Sequence, residues 1–151
     1  MEVTVMEIDP KPYLAIRRRL TIEEMPSVMG GLYGRVYSHL AEAGEKPAGP
    51  SLTVVHSWSP TELDLECGVL VEDDVQGKGD IKAGSTPGGR CATAVYVGPY
   101  DGLAAAWEEF TAEVKRQGLE SKWPSWEEYR VTPQDVEDHA QCETVLYEPV
   151  G

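Results

Sequence analysis

Pro124-Ser125-Trp126-Glu127-Glu128-Tyr129 repeats, 74 positions on, the opening of Pro50-Ser51-Leu52-Thr53-Val54-Val55. The same shift carries Gly44 onto Gly118, and the stretch from Tyr13 to Val71 is echoed by that from Arg90 to Pro149. Each half reads strand, helix, Gly-containing loop, strand, turn, strand, and self-similarity of this kind fixes an architecture before any local motif is weighed. It predicts two half-units, about 13–71 and 90–149, joined by an acidic and then Gly-rich linker over about 72–89. The halves differ at one place. Thr53 and Val55 fall on Glu127 and Tyr129, so a carboxylate and a phenol stand where the first half has a small polar and an apolar residue.

Local patterns fill in the plan. Pro26 can open a helix at its first position, and Val28, Leu32, Val36 and Leu40 then recur on one face, with Tyr33 and Tyr37 as a second stripe beside them. Gly30, Gly31 and Gly34 each cost about 1 kcal/mol relative to Ala inside a helix, which predicts that something approaches this turn closely. The second helix is read with Asp101 as its cap and Leu103, Trp107, Phe110 and Val114 on its buried face. In the strand at 51–58, alternation places Leu52, Val54, His56 and Trp58 together. In the strand at 125–131 it places Glu127 and Tyr129 on one face and Trp126, Glu128 and Arg130 on the other.

With 151 residues and 41% hydrophobic content the chain can bury a full core, and its length suits one domain. The formal charge of −13 disfavours direct binding to a phosphate backbone, which needs Lys and Arg to displace counterions. Counted by thirds the charge runs −1, −4 and −8, an acidity that attracts cations. Arg17, Arg18 and Arg19 point to alternating faces of a strand, where pairing with carboxylates is the expected use. Cys67, Cys91 and Cys142 are widely spaced inside strand-like runs and read as buried free thiols of a reducing compartment. No apolar run approaches the roughly 18 residues of a membrane span, and the N-terminus carries no basic segment with an apolar core. A cytoplasmic location without membrane contact is expected. The linker lacks the Gly-Lys-Ser/Thr spacing of a phosphate loop, and His39, His56 and His139 show no metal-ligand spacing, so neither cofactor nor metal is expected.

Four segments, taken in order, carry a resemblance: Gly88-Gly89-Arg90-Cys91-Ala92, Val97-Gly98-Pro99-Tyr100-Asp101-Gly102-Leu103, Pro124-Ser125-Trp126-Glu127-Glu128-Tyr129, and Thr144-Val145-Leu146-Tyr147-Glu148-Pro149-Val150. With Ala48-Gly49-Pro50 from the first half, they resemble the GyrI-like effector-binding family, which includes the ligand-sensing domains of MerR- and AraC-type regulators. The resemblance implies an α+β fold of two pseudo-symmetric βαββ (SHS2-type) repeats. It also implies an antiparallel curved sheet with two helices on one side and a ligand cleft between the halves. In that family a Glu lies in the cleft, and the matching residue is Glu127. Departures from the family pattern occur at Val55, Tyr96, Cys91 and Glu128.

A carboxylate among aromatic rings attracts a delocalised cation, because weak hydration makes the cation cheap to desolvate and the rings add cation–π contacts. Glu127, Tyr129, Tyr33, Tyr37, Trp107, Tyr147 and Val55 are therefore the expected ligand-binding residues. The alternative for Glu127 is an exposed strand carboxylate paired with Arg130 or solvent. Some stand-alone relatives are hydrolases that open cyclopropane-containing toxins with water, and in such a reaction Glu127 with Tyr129 or Tyr37 would activate water and donate protons. The family's namesake binds and inhibits DNA gyrase, which keeps a protein partner, a regulator or gyrase, among the expectations. No helix-turn-helix stretch is read, so the leading expectation is a stand-alone small-molecule-binding protein.

Overall fold

Leu63, Leu65, Cys67 and Val69 alternate with Asp64, Glu66 and Gly68, and this period of two builds the strand Glu62–Leu70 (β4). In the computed structural model, which describes residues 1–151, β4 is one of eight strands in a single antiparallel sheet. The others are Thr4–Ile8 (β1), Pro12–Thr21 (β2), Ser51–Trp58 (β3), Ile81–Ser85 (β5), Gly89–Val97 (β6), Ser125–Val131 (β7) and Glu143–Pro149 (β8). Two helices, Met25–Glu42 (α1) and Leu103–Arg116 (α2), complete the fold. The order across the sheet is β1-β6-β8-β7-β3-β4-β2-β5. The expected α+β plan is thereby present: β2-α1-β3-β4 and β6-α2-β7-β8 are two copies of one unit, joined edge to edge through β3 and β7. Neither helix is long and apolar enough to cross a membrane.

The helices end alike. Gly44 and Gly118, 74 residues apart, both take a left-handed φ, of 71° and 76°. At each end the glycine N–H and the next N–H bond back to the last helical turn, Glu45 to Leu40 at 2.9 Å and Leu119 to Val114 at 3.2 Å. Leu32, Val36 and Leu40 of α1 pack on Leu14, Ile16, Leu65, Cys67 and Val69. Ala106, Phe110 and Val114 of α2 pack on Ala92, Ala94 and Leu146. Pairing Ile16 with Cys67, Cys67 with Thr53, Glu127 with Leu146 and Leu146 with Ala94 puts both sets on one face of the sheet.

The opposite face has its own core, in which Tyr13, Ala15, Leu52, Val54, Leu70, Cys91 and Trp126 meet. The sheet must curl around it. β1 and β2 are six positions apart, which in a flat sheet is about 29 Å, yet only Asp9, Pro10 and Lys11 join them and can reach about 13 Å. Backbone approach in the curl requires a glycine at 68, where a Cβ would lie 2.4 Å from the Leu14 carbonyl oxygen.

Four local expectations are corrected. The segment 72–89 is more than a linker, because Ile81–Ser85 pairs with β2 as an edge strand. Asp101 lies in a single 3-10 turn, Tyr100–Gly102, and gives no side-chain cap to α2. A bulge between Val55 and Ser57 shifts the parity of β3, so Trp58 pairs with Leu63 and leaves the face of Val54. No atom lies within 4 Å of a Cβ built on Gly30, Gly31 or Gly34, so nothing within the chain makes the close approach expected there. The arginine triplet does pair with carboxylates: Arg17 with Asp64 at 2.8 Å, Arg18 with Asp80 at 2.7 Å and Arg19 with Glu62 at 3.1 Å. All three cysteines are buried free thiols.

Candidate functional site

The junction between the two units is set by register. β3 and β7 pair so that Thr53 faces Glu127, and these are also the two residues related by the 74-residue shift. A position and its own equivalent can face each other only on the pseudo-twofold axis. The axis therefore runs between Thr53 and Glu127, on the helix face and in the middle of the sheet. The departure from symmetry, Glu against Thr, sits on that axis.

Each helix sends one aromatic side chain to this point. The shift carries Tyr33 of α1 onto Trp107 of α2. Trp107 donates its indole Nε1–H to Glu127 Oε1 at 2.7 Å. The Tyr33 hydroxyl shares a hydrogen bond with Thr53 Oγ1, which in turn shares one with the Tyr129 hydroxyl. The Tyr33 and Tyr129 rings meet edge to face at 6.2 Å, and the Tyr100 ring tilts against Tyr129 at 5.6 Å. Trp107 is braced by Phe110 in an edge-to-face contact at 5.4 Å. The bulge of β3 recurs in β7 between Tyr129 and Val131, 74 residues on, and re-aims the end of each central strand beside the cluster.

The electrostatics are those of a half-buried acid among neutral donors. Burial pushes the Glu127 carboxyl above the usual carboxylate range, with the Trp107 N–H and the Tyr129 hydroxyl opposing. Burial also holds the Tyr33 and Tyr129 hydroxyls protonated well above their ordinary range, and the charge of Glu127 adds to this at Tyr129. Tyr100 is pushed up to about 12, chiefly by burial. No Lys, Arg or His pairs with Glu127. Arg130 is engaged with Glu143 at 2.6 Å. A carboxylate without a cation, ringed by phenols and an indole, can attract a positive charge, accept a proton, or orient a donor.

Of the residues expected from sequence, Glu127, Tyr129, Tyr33 and Trp107 come together. Val55 lies on the same face, opposite Ser125 and two residues from Thr53. Tyr37 is exposed on α1, one turn beyond Tyr33. Tyr147 is not brought to the cluster: its register partner is Trp126, so it points to the other face, where the two rings stack at 4.8 Å. Thr53 and Tyr100 were missed. Thr53 was legible as the equivalent of Glu127, whereas Tyr100 lies in a turn and has no periodicity to betray it. Two surface depressions lie elsewhere, one of about 570 Å³ between α1 and the Lys78–Ile81 turn and one of about 530 Å³ beside α2 lined by Glu108, Thr111, Lys115 and Ser121.

The family model GyrI-like, a GyrI-like small molecule binding domain, matches residues 1–150. No curated protein sequence matches. Among solved structures the chain is similar to EcmrR in its complex with DNA, with a TM-score of 0.85 and 21% identity over 99% of this chain and 57% of that one. It thus spans little more than half the length of EcmrR. It is also similar to SAV2435 bound to tetraphenylphosphonium, with a TM-score of 0.68 and 13% identity over 100% of this chain and 94% of that one. A hydrolase from Listeria innocua gives a TM-score of 0.64 and 16% identity over 99% and 92%. At these identities the likeness is one of fold.

Proposed function

The chain belongs to the GyrI-like small-molecule-binding domain family, and from that premise we propose that it takes amphipathic, cationic aromatic compounds between its two half-units, with Glu127 meeting the positive charge. The observation that carries the reading is a carboxylate on the pseudo-twofold axis that has aromatic neighbours and no cationic partner. A delocalised cation relieves that isolation and loses little hydration on entry, and each facing ring adds about 0.5–2 kcal/mol of cation–π attraction. Tyr33, Trp107 and Tyr129 supply the rings, and Val55 an apolar edge. Tyr37 receives the ligand at the exposed rim. Tyr147 serves the opposite core instead. The fold shared with a protein bound to tetraphenylphosphonium supports the choice of ligand class.

Titration calorimetry with tetraphenylphosphonium and the neutral triphenylphosphine oxide tests this. Wild type is expected to bind the cation and to discriminate against the neutral compound, and Glu127→Gln to weaken the cation by about tenfold or more. Equal binding of both compounds, or an unaffected Gln variant, would overturn the reading.

A second reading draws on the raised carboxyl pKa of Glu127 and the adjacent Tyr129 hydroxyl, which suit a base and a hydrogen-bond donor for adding water to a reactive small molecule. In that reading the substrate is a strained cyclopropane-containing toxin. Mass spectrometry of the compound after incubation would show the addition of one water in wild type and none with Glu127→Gln. A compound recovered unchanged from wild type removes this reading.

A further inference from the structure

Thr144 is fully buried, and its Oγ1 has no hydrogen-bond partner. It lies in β8 between Tyr129 of β7 and Tyr96 of β6, its register partners on the two sides. Neither phenol serves it. The Tyr129 hydroxyl is engaged with Thr53, and the Tyr96 hydroxyl donates to the Pro99 carbonyl oxygen at 2.7 Å. The Pro99–Gly102 turn touches both of these neighbours, through Pro99 on one side and the Tyr100 ring on Tyr129 on the other. Thr144, between them, therefore sits beneath the turn. The Tyr100 ring is only partly covered, with 39% of its surface exposed.

The hydroxyl is not demanded by packing. In the first half the equivalent position, opposite Val55 as Thr144 is opposite Tyr129, is held by Leu65, equally buried and wholly apolar. An unpaired buried hydroxyl disfavours the fold, so its presence beside the site calls for a partner that arrives from outside. Glu127 is the diagonal neighbour of Thr144 across β7 and β8, which sets the two about 7–8 Å apart.

We propose that Thr144 is a specificity-determining residue of the ligand site, exposed when the Tyr100 ring turns aside, and that the preferred ligands are aromatic cations bearing a hydrogen-bonding oxygen or nitrogen on a ring, several ångströms from the positive charge. The inference rests on the cation reading of Glu127 and deepens it. One ligand edge is held by charge and the other by the Thr144 hydroxyl, which both donates and accepts.

Two probes differing by one hydroxyl test it: tetraphenylphosphonium and (4-hydroxyphenyl)triphenylphosphonium, titrated into wild type, Thr144→Val and Thr144→Ser. Wild type is expected to prefer the hydroxylated cation by about fivefold, the worth of one net hydrogen bond. Thr144→Val, which keeps the shape, should bring the ratio to about one, and Thr144→Ser should restore it. Should the Val variant fail to give the wild-type circular dichroism spectrum, Thr144→Ala supplies the same comparison. A wild-type ratio near one, or a preference that survives loss of the hydroxyl, overturns the role of Thr144 and leaves the cation reading standing. If wild type binds neither probe, the cation reading itself fails and this inference falls with it.

Discussion

Glu127 holds a carboxyl whose charged form the fold disfavours, and that has a consequence for stability. Its folded pKa lies above the unfolded value, because burial outweighs the help of the Trp107 N–H and the Tyr129 hydroxyl. A group raised in this way contributes its stability fully below the unfolded pKa, about 4.3 for Glu, and loses it as the pH rises through the folded pKa. As the pH rises wild type takes on the penalty of a half-buried charge, and Glu127→Gln does not. Urea unfolding midpoints between pH 4 and pH 8 should therefore show the Gln variant more stable than wild type at pH 7–8, with the gap closing toward pH 4. A gap of constant size would mean that Glu127 is solvated like a surface acid. Greater stability bought at the cost of ligand affinity is the expected signature of a residue kept for function. At this scale the sequence was informative about Glu127, Tyr129, Tyr33 and Trp107, because strand parity and helical spacing fix which side chains share a face. It misled about Tyr147, whose direction follows from the register of β8 on β7 and not from anything local.

The elements show the same division between local pattern and tertiary placement. α1 was legible from its apolar spacing and α2 likewise, and both glycine-terminated ends could be read directly. β5 was hidden, since Ile81-Lys82-Ala83-Gly84-Ser85 has a single large apolar residue and becomes a strand only because β2 offers it an edge. The paired bulges were equally invisible, as an extra residue leaves no mark until its partner strand is known. The glycines of α1 yield a prediction at this scale. Gly30, Gly31 and Gly34 sit in regular helix with open space where a Cβ would be, so each substitution to Ala should stabilise the free protein by roughly 0.5–1 kcal/mol through the helix propensity of Ala. Gly44→Ala, at a φ of 71°, should do the reverse. Thermal unfolding of the four single variants checks both signs. A loss of stability in the α1 variants would show that the free helix depends on those glycines, contrary to the open space around them.

At the scale of the whole molecule, two copies of one unit meet at Thr53 and Glu127, and the surrounding chain is strongly acidic, with a formal charge of −13. On the proposed cation reading, these two properties act on different steps of binding. The long-range field draws the ligand in and is screened by salt over about 10 Å at 0.1 M. The proposed contact with Glu127 is half-buried and would be screened much less. Stopped-flow measurement of tryptophan fluorescence with tetraphenylphosphonium separates them. Raising sodium chloride from 20 mM to 500 mM should slow association severalfold while leaving the dissociation rate nearly unchanged. Charge-reversing exposed acids outside the hydrogen-bonded cluster, for example Glu137→Lys together with Asp138→Lys in the turn before β8, should lower the association rate at low salt and leave dissociation nearly unchanged. If salt instead acts mainly on dissociation, the cation rests on a surface open to solvent, and the carboxylate that holds it is not the half-buried Glu127 on the axis.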